Sequence, residues 1–277
     1  MKTDCYIGLM SGTSLDGVDG VIASFEPQPT IHAHYYQPYP DEIKTELTQL
    51  IVAQQGTLEQ IGLLEQKLSE QYALAANTLK QKGIELGYSI KTIGCHGQTL
   101  YHQPNGHHRF SWQLVNGNLL AQRTQLAAVT DFRRMDMAHG GQGAPLAPLF
   151  HDAVFRHRTI SRAIVNTGGI ANVSILQPGQ PQLGFDTGPG NTLLDQWIKQ
   201  HRKQEYDKNG EWAAQGRVNQ TLLDRLQQHP YFNQPLPKST GREIFNLTWL
   251  SNQLMGLKIS PVDIQSTLTA LTAITIK

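Results

Sequence analysis

Two short glycine-bearing turns, each set between apolar runs, constrain this chain more than any other feature. The first is MSGTSLDGVDG, entered from CYIGLM and left through VDGVIASF, whose β-branched pattern stops at Pro27. The second is NTGGIAN, with RAIVNT before it and IANVSIL running on from it. Both read as β-hairpins, and in the second Gly168 and Gly169 let the backbone approach a ligand closely. A chain whose two halves each begin this way is expected to be a duplicated α/β architecture with a cleft between two lobes. The boundary is placed near residues 130 to 140, giving lobes of 1–133 and 134–277.

The stretches between the turns fill out both lobes. IHAHYYQPY reads as a strand, and Asp41 is placed to cap a helix reaching about Gln54. Thr57 and Gln60 have capping-box spacing ahead of a second helix. Its apolar residues Ile61, Leu64, Leu68, Tyr72, Ala75 and Leu79 recur every three or four positions, with Gly83 where a C-terminal cap belongs. Strands follow at IKTIGC, RFSWQLV and AAVT, each leading into a polar or glycine-bearing loop: HGQT, NGN and DFRRMDMAHGGQGAP. A helix is expected from Ala144 to Arg156, and LGFDTGPGN reads as a strand entering a glycine loop that opens the helix TLLDQWIKQH. VNQTLLDRLQQH and REIFNLTWLSNQL add amphipathic helices. The closing DIQSTLTALTAITIK reads as a helix reaching Lys277 without a capping glycine or a following strand, so a truncated second lobe is expected.

Charge and cysteine content narrow the function classes. Lys plus Arg number 23 against 22 for Asp plus Glu, a net charge of +1 that offers no surplus for nucleic acid or an anionic membrane. No apolar run of about 18 residues and no N-terminal signal pattern occurs, which points to a soluble cytoplasmic protein. Two cysteines, Cys5 and Cys95, are too few for a disulfide framework or a cysteine zinc site. His102, His107 and His108 form no HExxH pair, and no metal ligands are assigned. The sequons at Asn172 and Asn246 are chance matches without a secretory signal.

The polar residues of the loops are the candidates for chemistry. Hydroxyls and backbone amides across MSGTSLDGVDG suit an anion, and Asp16 and Asp19 can meet a cation; an ordinary hairpin turn accounts for the same residues. Neither GxxxxGK[ST] nor GxGxxG occurs, so a nucleotide site here is neither Walker-type nor Rossmann-type. Asp186 stands at a strand end just before Gly188 and Gly190, where a carboxylate can act as a general base or form a simple Asx-turn. His96, Gln98 and Thr99 in CHGQT suit sugar hydroxyls or a hydrogen-bonded loop. Arg133, Arg134 and Asp136 in DFRRMD could present a fork to a carboxylate or phosphate, or form a solvated pair.

Taken in order, MSGTSLDGVDG, CHGQT, DFRRMDMAHGGQGAPLAPLFH, NTGGIAN, GFDTGPGN and PKSTGREIFN closely resemble the anhydro-N-acetylmuramic acid kinases of bacterial peptidoglycan recycling, from Met10 to the end of the chain. The resemblance implies a two-lobed ATPase fold shared with actin, hexokinase-like sugar kinases and heat-shock 70 proteins, with duplicated mixed sheets and ATP and sugar meeting in a central cleft. It implies an enzyme that uses ATP and water to open the 1,6-anhydro ring and phosphorylate O6, giving N-acetylmuramic acid 6-phosphate and ADP. Carried over, Gly12, Thr13, Ser14, Leu15, Asp16, Gly17, Val18 and Asp19 would form the phosphate loop, joined by Gly168 and Gly169. Asp186 would activate water for attack at C1. His96, Gln98, Thr99, Arg133 and Asp136 would contact the sugar, Mg2+ would bridge the phosphates, and the protein would be a homodimer. The family's later GGG-containing nucleotide loop lies beyond this sequence, which keeps open a second reading: a sugar-binding or interaction protein derived from the kinase and unable to hold ATP.

Overall fold

The computed structural model describes residues 3–12, 14–104 and 106–277. The chain divides into two compact units, Met1–Ala144 and Pro145–Lys277.

The first unit is built on a five-stranded mixed sheet in the order β3-β2-β1-β4-β7. Its opening hairpin pairs β1 (Asp4–Met10) with β2 (Gly17–Ser24), antiparallel from Tyr6↔Ala23 to Met10↔Asp19. β3 (Thr30–Pro38) continues the antiparallel side, whereas β4 (Ser89–Cys95) and β7 (Ala127–Val129) run parallel. Helix α1 spans Asp41–Ala53; Pro40, not Asp41, holds the capping position, and Asp41 enters as the first helical residue. Helix α2 spans Leu58–Glu85, and both hydrogen bonds of the Thr57–Gln60 capping box are made. Leu64, Leu68, Tyr72, Ala75 and Leu79 on its inner face are fully buried with Ile7, Ile22 and Ile93 of the sheet. At roughly 1.5–3 kcal/mol per large apolar side chain, that stripe is a main source of this unit's stability.

Gly83 does not end the helix. It lies buried inside α2, where an added Cβ would come within 2.8 Å of Ile90 Cδ1, so glycine is there for close packing. The left-handed residue that follows the helix is Gly87, with φ +81°.

Two elements of this unit depart from the sequence reading. Gln98–Gln103 forms strand β5, paired with β6 (Phe110–Leu114), where a loop beginning HGQT was expected. After α3 (Gly117–Thr124) and β7, Phe132–Ala138 forms a short helix, α4, inside the expected loop. The contact boundary therefore falls eleven residues beyond the expected 133/134 division. Residues 134–144 stay with the first unit because Arg133 and Asp136 both bind Gly143 and α4 packs beside β6.

The second unit holds a three-stranded antiparallel sheet, β10-β9-β8. Helix α5 (Ala147–Phe155) carries Pro148 in its first turn. The hairpin of β8 (Arg162–Thr167) and β9 (Ile170–Leu176) turns at Gly168–Gly169, and β10 (Leu183–Pro189) leads into α6 (Asn191–Arg202). Helix α7 (Gln220–Gln227) and α8 (Leu247–Leu254) are each capped by an asparagine side chain, Asn219 and Asn246. α8 begins five residues after Arg242, later than REIFNLTWLSNQL suggested. α9 (Pro261–Ile276) is capped by Ser260. Leu193, Trp197, Leu222, Leu226, Tyr231, Phe245, Leu250 and Leu268 form the core of this unit.

Candidate functional site

In the first unit the turn between β1 and β2 is held from beneath by buried side chains. The Ser11 hydroxyl accepts from Tyr39 Oη at 2.8 Å and lies 2.6 Å from Gln98 Oε1 and 2.9 Å from the Gly17 carbonyl. Gln98 Nε2 donates to the Gly12 carbonyl at 3.2 Å. Tyr39 Oη is also 3.2 Å from Tyr72 Oη on α2, and burial pushes its phenol up to about 12, so it stays a neutral donor. Gln98 is only 1% exposed, and its amide is committed to this turn. The geometry gives Gln98, expected from the sequence to contact the sugar, a supporting place under this turn.

Above that support the turn is open. A Cβ at Gly12 would meet nothing nearer than Ser14 Oγ at 3.9 Å. Leu15 adopts a left-handed conformation at φ +60°, a cost of order 1–3 kcal/mol that the surrounding bonds hold in place. Ser14 and Asp16 are exposed and hydrogen-bonded to one another. Gly17 and Val18 are buried; Asp19 faces solvent beside His34, 3.2 Å away. Thr13 lies outside the described residues.

A second cluster in the same unit joins the end of β4 to α4. Arg133 Nε donates to His96 Nε2 at 2.7 Å, and its Nη1 donates to the Gly143 carbonyl at 2.8 Å. Arginine only donates, so the His96 proton sits on Nδ1, which faces the Gly97 carbonyl at 2.7 Å. Burial, reinforced by the Arg133 charge, pulls the His96 imidazole down to about 4. Asp136 Oδ2 accepts from Gly143 N at 2.8 Å, so Arg133 and Asp136 grip the two sides of one peptide residue. Gly141 leaves the space that the Asp136 carboxylate fills. Thr99 Oγ1, on β5, accepts from Gln113 Nε2 at 3.1 Å. Arg134 pairs with Asp131 as an exposed ion pair.

In the second unit Asp186 sits within β10 and not at its end, immediately before a bulge that shifts the register between Asp186 and Gly188. Its carboxylate Oδ2 accepts from Ser239 Oγ at 2.9 Å and from Thr240 N at 3.0 Å. Its own N–H donates to the Lys238 carbonyl at 2.9 Å, and its carbonyl accepts from Tyr231 Oη at 2.6 Å. Burial, with the Asp186 charge beside it, raises the Tyr231 phenol far above its ordinary value. The Gly168 and Gly169 carbonyls accept from the first amides of α6: Asn191 N at 2.8 Å onto Gly168, Gly190 N and Thr192 N at 3.0 Å onto Gly169. The close approach occurs at Gly190, where a Cβ would overlap the Gly168 carbonyl oxygen; at Gly168 itself nothing lies within 3.6 Å.

Sequence reasoning did not assign Tyr39, Tyr231, Ser239 or Thr240. The last two lie in PKSTGREIFN, where no local pattern marks either residue for a role.

The open Gly12 backbone and the exposed Ser14 hydroxyl suit phosphate oxygens. Among the described residues no three His, Cys, Asp or Glu side chains converge on a common point. Mg2+ usually keeps several waters and phosphate oxygens and takes one or two protein carboxylates, and the exposed Asp16 is a carboxylate of that kind. Among the described residues no helix is long and apolar enough to cross a membrane.

The family model for anhydro-N-acetylmuramic acid kinase matches residues 4–277. Anhydro-N-acetylmuramic acid kinase of Haemophilus influenzae is 48% identical over 287 aligned positions, covering 100% of this chain and 75% of that protein. The protein of the same name from Photobacterium profundum is 46% identical, covering 100% and 74%. Among solved structures, an Aquifex aeolicus Ppx/GppA phosphatase aligns over 98% of this chain and 92% of its own at 10% identity and TM-score 0.35, too distant to weigh on fold or function.

Proposed function

Because this chain belongs to the anhydro-N-acetylmuramic acid kinase family, we propose that it opens the 1,6-anhydro ring of N-acetylmuramic acid with water and transfers the γ-phosphoryl group of ATP to O6. The match over residues 4–277 carries the reading. The products are N-acetylmuramic acid 6-phosphate and ADP, a step in cell-wall recycling, and the protein is assigned to the cytoplasm as a homodimer.

Roles follow from what each group can do. Asp186, a carboxylate held at Oδ2 by two donors, takes the proton from water as that water bonds to C1. The C1–O6 bond breaks, O6 leaves with the electron pair, and O6 then attacks the γ-phosphorus as ADP departs. Electrostatically the two halves assist each other, since phosphoryl transfer removes charge that would build on O6. The turn at Gly12 and Ser14–Asp19 receives the phosphates, with Thr13 completing the run, and the Gly168–Gly169 turn does so in the second unit. Asp16 would help to hold a Mg2+ ion, which would supply charge neutralisation to the phosphoryl transfer. Arg133 and Asp136 shape the loop at Gly143, and with His96 and Thr99 they line the sugar's position.

The test is ADP release that depends on the anhydro sugar, run in ¹⁸O-enriched water with prompt mass analysis. Label in the C1 hydroxyl and none in the phosphate ester is expected. Label in the ester would place water at phosphorus and end the assignment of Asp186. Asp186→Asn is expected to lower turnover by about 10²-fold or more.

A further inference from the structure

Three hydrogen bonds to Asp186 come from one short segment, residues 238–240, to which the proposed reaction gives no role. Asp186 lies on β10, an edge strand of the three-stranded sheet, beside a bulge where the ladder to β9 loses register. A bulge re-aims the side chains beside it. Lys238, Ser239 and Thr240 meet Asp186 at this point. The Lys238 carbonyl takes the Asp186 N–H, and the Ser239 hydroxyl and the Thr240 N–H both reach Oδ2.

The segment is itself anchored on both sides. Lys238 Nζ donates to the Phe232 carbonyl at 2.8 Å and the Tyr231 carbonyl at 3.2 Å, and lies 4.8 Å over the Tyr231 ring. Five residues after Thr240, Phe245 is fully buried and packs edge-on against Tyr231 at 5.7 Å. Tyr231 closes the circuit by donating to the Asp186 carbonyl. Backbone and carboxylate of one residue are thus tied to a brace that is rooted in the core.

We propose that Ser239 and Thr240 are positioning residues for the reaction: they hold the Asp186 carboxylate through Oδ2 in the one orientation from which it takes a proton from water. The proposal rests on the reading of Asp186 as the general base. Both donors act on a single oxygen, one from a side chain and one from the backbone, so together they set the plane of the carboxylate as well as its place. Misplacement of a reacting group by about 1 Å can cost on the order of 10²-fold in rate. Loss of one donor should therefore be felt in turnover and not in substrate binding.

Ser239→Ala in the full chain should lower kcat about 10- to 100-fold with the KM values for ATP and anhydro sugar within about 2-fold. Ser239→Thr, which keeps the hydroxyl, should recover most of that loss. In an Asp186→Asn background, Ser239→Ala should lower the residual rate no further, because the group it positions is gone. Urea unfolding of each variant separates a fold defect from a rate defect. Unchanged kcat in Ser239→Ala, a loss confined to KM, no recovery with Thr, or an equal loss in both backgrounds would each overturn the brace. A slow Asp186→Asn with a normal Ser239→Ala overturns the brace alone, whereas normal turnover of Asp186→Asn overturns the base assignment and the brace together.

Discussion

The two glycine turns look alike as sequence and are held by different physics. The Ser11–Asp16 turn of the first unit rests largely on side chains: its own Ser11 joins Gln98 of β5 and Tyr39, two residues before α1, in a buried polar network under it. The Gly168–Gly169 turn of the second unit rests on main chain, its carbonyls spent on the first amides of α6. A helix N-terminus leaves amides without intrahelical partners, and here the turn satisfies three of them. A side-chain support can be altered one group at a time. A main-chain support depends on how closely two backbones approach, and so on the absence of a Cβ.

The largest effect is therefore expected at Gly190. An alanine there would overlap the Gly168 carbonyl and come within 3.2 Å of Ala171 N, and neither is the end of a flexible side chain. Gly190→Ala should destabilise the second unit by about 3 kcal/mol or more in urea unfolding. A change under about 1 kcal/mol would mean that the α6 start yields easily and that the turn is not held as described.

Next comes acid sensitivity, which belongs to the first unit. His96 has its imidazole lowered from 6.5 to about 4, so between these values the unfolded chain takes up a proton that the folded chain refuses. Stability should thus be full above about pH 6.5, fall as pH drops toward 4, and lose no more from this residue below that. The loss from His96 alone is about 3 kcal/mol at most, at 1.36 kcal/mol per pH unit. His102 in the same unit, and His201 and His229 in the second, are shifted in the same direction by burial and add to the trend. A His96→Gln variant should show a shallower fall of unfolding midpoint from pH 6.5 to 4, and a slope matching wild type would remove His96 as the cause.

Gln98→Ala is a smaller perturbation of the same unit. It leaves Ser11 and the Gly12 carbonyl without their buried partner, which should cost about 2 kcal/mol. Nucleotide affinity should fall alongside stability because the turn loses its support. Calorimetric titration with Mg-ATP checks this, and unaltered affinity would show that Tyr39 and Ser11 hold the turn without Gln98.

These differences also explain what could be seen in the sequence. Helix α2 was legible because its signals are local: a capping box and an apolar residue every three or four positions. Gly83 was misread because the reason for it, Ile90 pressing from β4, is a tertiary contact. Strand β5 was missed because Gln98 and Thr99 look like loop residues until Ser11, Gly12 and Gln113 satisfy them. Helix α4 was hidden by polar residues whose partners, His96 and Gly143, lie in other segments. Asp186 stood out beside its glycines. Ser239 and Thr240 did not, since they meet it across 53 and 54 residues of chain.

The least effect on stability is expected where the comparison is sharpest. Gly12 and Gly168 each lie just past the first strand of their hairpin, and neither adopts a left-handed conformation. An added Cβ at either meets nothing closer than 3.7 Å. Neither glycine is needed for packing or for backbone strain, so Gly12→Ala and Gly168→Ala should each shift unfolding by no more than about 0.5 kcal/mol, and reduced freedom of the unfolded chain can even make them stabilising. If open backbone is there for phosphate to approach, the same methyl groups should weaken Mg-ATP binding about 10-fold, or roughly 1.4 kcal/mol. Stability and affinity then separate at Gly12 and Gly168 and move together at Gln98. Titration of the alanine variants decides between the turns one at a time: intact affinity in Gly168→Ala with loss in Gly12→Ala would assign phosphate contact to the side-chain-supported turn and leave the main-chain-supported one as the seat of α6.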